Sequence, residues 1–157
     1  MNATDTVFLT PEGHDKLNAE LKHLIDVRRP DVARMIREAK DAGDVSENSG
    51  YDEAKEQQGF VEGRIQELED MLRRAKVIED PSTRDVVMLG SRVKVAEDGE
   101  DPEVFRIVGS AEADPIKGLI SNNSPLGAAL IGKRVGQVAS YTAPGGTNMT
   151  FKILEIR

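Results

Sequence analysis

The chain has 157 residues, of which 38% are hydrophobic, 31% charged and 4% aromatic, and its net charge is −7. This composition favours an extended, charged helical element beside a modest core over one large core. The absence of Cys excludes disulfide scaffolds, thiol catalysis and Cys-based zinc sites. The sequence has no apolar run long enough to span a membrane and no secretory signal, so a cytoplasmic protein is expected.

The first half of the chain is predicted to be helical. Thr10 followed by Pro11 is a typical helix start, with Thr10 as the N-cap. Apolar residues then recur at helical spacing over residues 17–39, and a heptad pattern runs over residues 51–75. The spacing loosens around Pro30, where a kink is expected because proline removes a backbone donor.

The two apolar stripes match each other in an antiparallel alignment. When the residues of the two stripes are paired in antiparallel order, the two residue numbers of every pair add to 89 or 90. A constant sum means that the chain folds back about one point, near residue 45. The first helix is expected to end at Gly43. Residues 11–78 are therefore predicted to form an antiparallel coiled-coil hairpin. Each arm has about 30 residues and a length of roughly 45 Å.

Charge is distributed unevenly along this hairpin. Residues 28–40 hold five basic and two acidic side chains, whereas residues 41–56 hold six acidic and one basic. A basic region thus runs directly into an acidic tip near residues 41–48. A surface that binds DNA along its length would not have this pattern. The pattern favours an element that presents opposite charges at two defined positions.

The second half of the chain is predicted to form a small sheet domain. Strands are predicted at residues 86–89, 92–95, 104–108, 137–141 and 149–154. A short helix over residues 125–130, with Ser124 as its N-cap, completes this part. The sequence predicts an α+β protein with two domains: a helical hairpin over residues 1–80 and a mostly antiparallel sheet with one short helix over residues 81–157.

Two acidic residues at the predicted tip, Asp44 and Glu47, have two interpretations. In the first, Gly43 ends one helix, Asp44 is the N-cap of the next and Glu47 is its partner in a capping box. In the second, the two carboxylates complete a metal site that a partner provides, because Mg²⁺ takes six oxygen ligands and two carboxylates cannot enclose it. The two interpretations are compatible.

The basic region behind the tip also has two interpretations. Its side chains can form a solvated helix face with salt bridges to Asp31, Glu38 and Asp52. They can instead contact the phosphates of a nucleic-acid strand that reaches the tip. The region contains Arg28, Arg29, Arg34, Arg37, Lys40 and Lys55.

Four segments together resemble the bacterial Gre transcript-cleavage factors, and the resemblance extends over the whole chain in order. The segments are Arg-Arg-Pro at 28–30, Gly-Asp-Val-Ser-Glu-Asn at 43–48 followed by Tyr51, Glu-Gln-Gln-Gly-Phe at 56–60, and Ile-Ser-Asn-Asn-Ser-Pro-Leu at 120–126 ending in Leu-Ile-Gly-Lys at 130–133. The resemblance implies an FKBP-like C-terminal domain that docks on bacterial RNA polymerase, with Asn123, Ser124 and Pro125 in the docking segment.

The resemblance also implies a function for the hairpin. The coiled coil would enter the secondary channel of the polymerase, where Asp44 and Glu47 help to hold a second Mg²⁺ shared with the polymerase. The polymerase would then hydrolyse the 3′ end of a backtracked transcript, so that the protein is an accessory factor and not itself an enzyme. Arg37, Lys40 and Lys55 would face that RNA.

Two other functions are considered beside this one. The first is a Gre-like factor that plugs the channel and inhibits the polymerase without stimulating cleavage. The second is a coiled-coil interaction or chaperone-like protein whose tip acids only cap helices. A monomer is expected in each case, because the heptad seam is already used within the chain.

Overall fold

The computed structural model describes residues 5–43 and 48–157. The elements in chain order are β1 (Val7–Leu9), α1 (Pro11–His23), a π-helical segment (Leu24–Arg28), α2 (Arg29–Asp41), α3 (Ser49–Arg73), β2 (Ala75–Val77), β3 (Arg92–Ala96), β4 (Glu103–Val108), two 3₁₀ turns (Ser110–Glu112 and Pro115–Lys117), β5 (Leu119–Ser121), α4 (Pro125–Leu130), β6 (Val138–Thr142) and β7 (Asn148–Ile156).

The chain forms two compact units, which divide within α1 and directly after α3. The first unit contains the chain up to Gly13 together with Ala75–Arg157, and the second contains His14–Arg74. The sequence boundary expected between residues 80 and 81 stays a prediction. The first strand and the first turn of α1 belong to the compact unit that holds the sheet.

The second unit is a hairpin in which the helix ending at Asp41 packs against α3. Val32, Val61 and Ile65 form its buried cluster. All three belong to the apolar stripes that the sequence predicts, and Val32 and Val61 come from opposite arms. Leu21, Leu24, Ile25 and Ile36 pack against the cluster from the first arm.

The first arm changes its hydrogen-bonding pattern just before Pro30. The backbone N–H of Arg29 donates to the carbonyl of Leu24, five residues earlier, and residues 24–28 are π-helical. Proline lacks an N–H and crowds the carbonyl four residues before it. A π-helical turn is one of the recognised ways in which a helix accommodates such a residue.

The sheet in the first unit has five strands in the order β5-β4-β3-β7-β6. The pairs β4–β3, β3–β7 and β7–β6 are antiparallel, and the β4–β5 pair is parallel. Residues alternate between the two faces of each strand, so Val93 and Val95 lie in the core while Arg92 is exposed. The buried cluster contains Val87, Val93, Val95, Ile107, Ile120, Leu130, Ala139, Phe151, Ile153 and Ile156.

Two very short strands that the sequence analysis missed also belong to this unit. β1 pairs in parallel with β2, with Val7 opposite Ala75. The predicted cap at the start of α1 is confirmed, because the Thr10 hydroxyl accepts from the backbone N–H of Gly13 at 3.0 Å. The same buried threonine donates its backbone N–H to Glu112 at 2.6 Å.

The α+β fold class is confirmed, as is the short helix α4, but two details differ. The predicted strand at residues 86–89 is wrong, because this segment is irregular. Val87 is nevertheless buried, and its backbone pairs with the carbonyl of Lys133 and the N–H of Gly132. The strand β5 was not predicted, because its three residues are too few to show a period.

Candidate functional site

The tip of the hairpin joins two helix ends. The first arm ends at Asp41, with Ala42 as its C-cap, and the second arm begins at Ser49. The predicted catalytic residues Asp44 and Glu47 lie outside the described residues, in the sequence between these two ends. The two helices that border this interval in the sequence, α2 and α3, pack on each other.

Asn48 connects the two arms beside this interval. Its side-chain oxygen accepts from the backbone N–H of Tyr51 at 3.2 Å, which makes it the N-cap of α3. Its side-chain nitrogen donates to the carbonyl of Ala39 in the last turn of the first arm, at 2.5 Å. One side-chain amide thus caps the start of one helix and donates to a carbonyl in the last turn of the other.

The role of Asn48 corrects one of the two interpretations of the tip acids. A capping box with Asp44 as N-cap requires the second helix to begin near residue 45, whereas α3 begins at Ser49. That capping assignment is wrong. The signal for the correct cap was present, because Asn is a preferred N-cap residue, but Asp is equally favoured and comes first in the sequence.

The basic residues behind the tip separate into two groups. Arg34 contacts Asp31 at 3.4 Å and Glu38 at 4.0 Å, and Arg29 pairs with Glu62 on the opposite arm at 2.7 Å. These pairs account for part of the region as a salt-bridged helix face.

The second group contains the residues that the sequence analysis expects to face RNA. Arg37, Lys40 and Lys55 are all exposed. Lys55 donates to the amide oxygen of Gln58 at 2.9 Å. Within residues 5–43 and 48–157, none of these three cations forms an ion pair, so their charges are not compensated by the described carboxylates.

Ion pairs between the arms hold the hairpin in register. Arg64 on α3 contacts Glu20 on α1 with two hydrogen bonds of 2.6 and 3.0 Å, and Arg29 contacts Glu62 in the same way at 2.7 and 2.9 Å. The hydrogen bond from Arg64 lowers the pKa of Glu20, and that from Arg29 lowers the pKa of Glu62. Both carboxylates therefore remain charged at neutral pH, and each fixes the alignment of one arm against the other.

The predicted docking segment lies between β5 and α4 in the first unit. The Ser124 hydroxyl accepts from the backbone N–H of Gly127 at 3.1 Å and donates to the carbonyl of Ser121 at 2.7 Å. Asn123 donates its backbone N–H to the Ser121 hydroxyl at 3.1 Å, and the side chain of Asn123 is exposed. Pro125 occupies the first turn of α4 and is also exposed.

A close backbone approach makes this segment rigid. Gly127 lies so near the carbonyl of Ser121 that an added Cβ would collide with the carbonyl oxygen. The segment is thus a tightly hydrogen-bonded turn that presents an exposed amide and an exposed proline ring.

Within residues 5–43 and 48–157, no group of three or more His, Asp or Glu side chains is arranged to hold a metal ion. The same part of the chain contains no helix that is both long enough and apolar enough to cross a membrane. The carboxylates of Asp44 and Glu47 fit Mg²⁺ in chemical type, since this ion prefers oxygen ligands and keeps several sites for water or phosphate.

A helical hairpin joined to a small mixed sheet, with an acidic sequence between the two arms and a tightly hydrogen-bonded turn in the sheet unit, defines a class of two-part α+β proteins. The N-terminal family model for transcription elongation factors matches residues 7–77, and the C-terminal GreA/GreB model matches residues 81–157. The chain belongs to the GreA/GreB family of transcription elongation factors.

Curated relatives that carry the name GreA match nearly the whole chain. Transcription elongation factor GreA of Macrococcus caseolyticus is 51% identical over 149 residues, covering 94% of each chain. GreA of Bacillus subtilis is 50% identical over 157 residues, covering 98% of this chain and 99% of the relative. Among solved structures, GreA factor homolog 1 of Thermus thermophilus is 32% identical, covers 98% of this chain and 99% of its own, and has a TM-score of 0.46.

Proposed function

We propose that this elongation factor binds bacterial RNA polymerase in the cytoplasm and stimulates the polymerase to cleave the 3′ end of backtracked nascent RNA. The hairpin enters the secondary channel, and the sheet unit docks on the rim of the channel through Asn123, Ser124 and Pro125. The protein is an accessory factor, because the polymerase supplies the rest of the catalytic site. The observation that carries the proposal is that Asp44 and Glu47 fall, in the sequence, between two helices that pack on each other as the arms of a hairpin.

The chemistry assigned to the tip follows from its residue types. Asp44 and Glu47, which lie between the two arms in the sequence, offer carboxylate oxygens. The helix of the second arm, α3, has 25 residues and is about 37 Å long. A Mg²⁺ ion held jointly with the polymerase would supply Lewis-acid activation of water and charge stabilisation for phosphodiester hydrolysis. The two carboxylates would help to bind this ion and to orient the water, and Asn48 keeps the neighbouring helix ends in fixed register.

The exposed cations support an RNA path along the hairpin. Arg37, Lys40 and Lys55 have no ion pair with the described carboxylates, so they can contact phosphates without first breaking an internal salt bridge. Arg29 and Arg34 are already paired with acidic side chains and are less suited to this role.

The proposal is tested by transcript cleavage with a double variant of the tip. Backtracked elongation complexes of the cognate polymerase, with RNA labelled at its 3′ end, are mixed with Mg²⁺ and wild-type protein, Asp44→Ala/Glu47→Ala or Asp41→Ala. We expect the double variant to lose at least a hundredfold of stimulated cleavage and to keep its affinity for polymerase, since metal ligands act in the reaction and not in docking.

Asp41→Ala is the matched control, because this exposed acid lies at the end of the first arm and has no assigned role in the reaction. It should cleave like wild type. Equal cleavage by the double variant and the control would contradict the proposal. Binding of the wild-type protein without any stimulation would instead favour a factor that plugs the channel.

A further inference from the structure

The outer face of α3 carries an exposed aromatic side chain that the proposed function does not use. Phe60 is 66% exposed, whereas the other three phenylalanines of the chain are buried or half-buried. It points away from the seam formed by Val61 and Ile65, because successive helical residues are 100° apart. An exposed phenylalanine ring contributes its large apolar area to stability only when a partner covers the ring and removes that area from water.

The helix is unusually open around this ring. Gly59 and Gly63 flank Phe60, and a Cβ at either position would have no neighbouring atom within 4 Å. Each glycine costs a helix about 1 kcal/mol relative to alanine. Neither glycine is needed for packing inside the hairpin, so the openness is available to an approaching partner.

The charges around Phe60 indicate what kind of partner fits. Glu56 and Glu53 precede it by one and two turns on the same face, and both are exposed without an ion pair to any described residue. Arg64, one turn after Phe60, is already engaged by Glu20 and Glu67. The ring therefore sits in a field of uncompensated negative charge, which repels RNA phosphates and attracts a basic protein surface.

We propose that Phe60 inserts into an apolar socket, rimmed by Lys or Arg side chains, on the protein wall that receives the hairpin. This inference rests on the proposed function, in which that wall belongs to RNA polymerase. Phe60 lies eleven residues after the start of α3, about 16 Å behind the tip. It is therefore an anchor for the hairpin and is too far from Asp44 and Glu47 to touch the reacting atoms.

The test separates affinity from reaction rate. Cleavage of backtracked RNA is measured as a function of protein concentration for wild type, Phe60→Ala and Gln66→Ala, together with direct binding to polymerase that carries no RNA. We expect Phe60→Ala to need about 10- to 100-fold more protein for half-maximal cleavage, as for a buried aromatic anchor at an interface. Its maximal rate at saturation should equal that of wild type.

Two control variants test whether the effect is specific to the aromatic ring of Phe60. Gln66 is exposed on the same helix but lies 120° around it from Phe60, so Gln66→Ala should behave like wild type. Phe60→Leu, which keeps an apolar side chain, should recover part of the lost affinity. All variants should melt like wild type, because the replaced side chains are exposed.

The charged rim is tested with Glu53→Gln/Glu56→Gln. This variant should bind several-fold more weakly at low salt, and the difference should disappear at high salt, since exposed charges are screened there. Unchanged affinity of Phe60→Ala, or a defect seen only when extruded RNA is present, would overturn the inference. Failure of the wild-type protein to bind polymerase at all would overturn the proposed function as well, and so is distinguishable.

Discussion

The helical hairpin buries a narrow line of apolar side chains, whereas the sheet unit buries a broad cluster. In the hairpin, Val32, Val61 and Ile65 are the buried members of the cluster, and the apolar residues packed against them are only partly buried. In the sheet unit, ten buried residues from the strands, α4 and the segment around Val87 pack together. The hairpin must therefore obtain more of its alignment from polar contacts at its surface.

The polar contacts also differ between the hairpin and the sheet unit. The arms of the hairpin are joined by the Arg29–Glu62 and Arg64–Glu20 pairs and by the amide of Asn48. In the sheet unit, the segment between β5 and α4 is fixed by backbone and hydroxyl groups around Ser121 and Ser124. The hairpin thus buries less apolar area than the sheet unit and leaves a long, charged surface exposed.

The largest effect on stability is expected in the sheet core. Ile153 is fully buried in the cluster, so Ile153→Ala leaves a cavity with little room to collapse. The expected loss is about 3–5 kcal/mol. Chemical denaturation measures the loss, and hydrogen exchange should show it in the sheet and not in α2 or α3. Leu154→Ala, at a partly exposed position on the same strand, is the control and should change little.

A smaller loss is expected for the corresponding change in the hairpin. Ile65 is 2% exposed, but its neighbours Leu21 and Leu24 are only half-buried and can move into the space. Ile65→Ala should therefore cost about 2–3 kcal/mol. The measurement is helical circular dichroism during denaturation. A loss as large as that of Ile153→Ala would contradict the view that the seam is the more adaptable of the two cores.

The sequence predicted the regular parts of both regions for a simple physical reason. A heptad seam and alternating strands repeat over many residues, so Val32, Ile65 and Val95 could be assigned to buried faces. The strands β1 and β2 have three residues each, which is too short for any period, and their pairing depends on residues far apart in the chain. The run at residues 86–89 is apolar and begins with two β-branched valines, but the backbone of Val87 pairs with the turn after α4 instead of with a strand.

The candidate site was predictable in its composition and not in its local geometry. The acidic residues Asp44 and Glu47 and the basic residues Arg37, Lys40 and Lys55 could be found from the distribution of charge along the sequence, because residues keep their sequence order along a helical hairpin. The cap could not, because Asp44 and Asn48 are equally good N-cap residues and only the packing of the two arms selects Asn48. The pairing of Arg29 with Glu62 likewise depends on how the arms align, whereas the pairing of Arg34 with Asp31 and Glu38 follows from helical spacing and was predicted.

Asn48 offers a way to test whether the alignment of the arms matters for the reaction. Asn48→Ala removes both side-chain hydrogen bonds and should cost about 1–2 kcal/mol. Stimulated cleavage at saturating protein should fall several-fold, because the helix ends beside Asp44 and Glu47 lose their fixed register. Affinity for polymerase should be nearly unchanged, which distinguishes positioning from docking.

The conservative variant Asn48→Asp separates the two hydrogen bonds of this residue. It keeps the oxygen that caps α3 and loses the donor to the carbonyl of Ala39. Stability close to that of wild type, combined with reduced cleavage, would assign the positioning effect to the bond between the arms. Wild-type cleavage by both variants would show that the register of the tip does not depend on Asn48.

The smallest effect is expected for the ion pairs between the arms. The pKa values of Glu20 and Glu62 are lowered from 4.5 by hydrogen bonds from Arg64 and Arg29. A carboxyl group with a lowered folded-state pKa contributes stability that is present above the unfolded value and is lost as pH falls through the folded value. The melting temperature of the hairpin should therefore be level above about pH 5 and decline below it.

The double variant Glu20→Gln/Glu62→Gln should melt slightly lower than wild type at pH 7 and lose part of this decline. The two proteins should converge at low pH, once both carboxyls of the folded wild type are protonated. Glu79→Gln, at an exposed acid outside the hairpin, is the control and should follow the wild-type profile. Because both pairs are solvent-exposed, salt should reduce the difference at pH 7. A variant that melts like wild type at every pH would mean that the apolar seam alone aligns the arms.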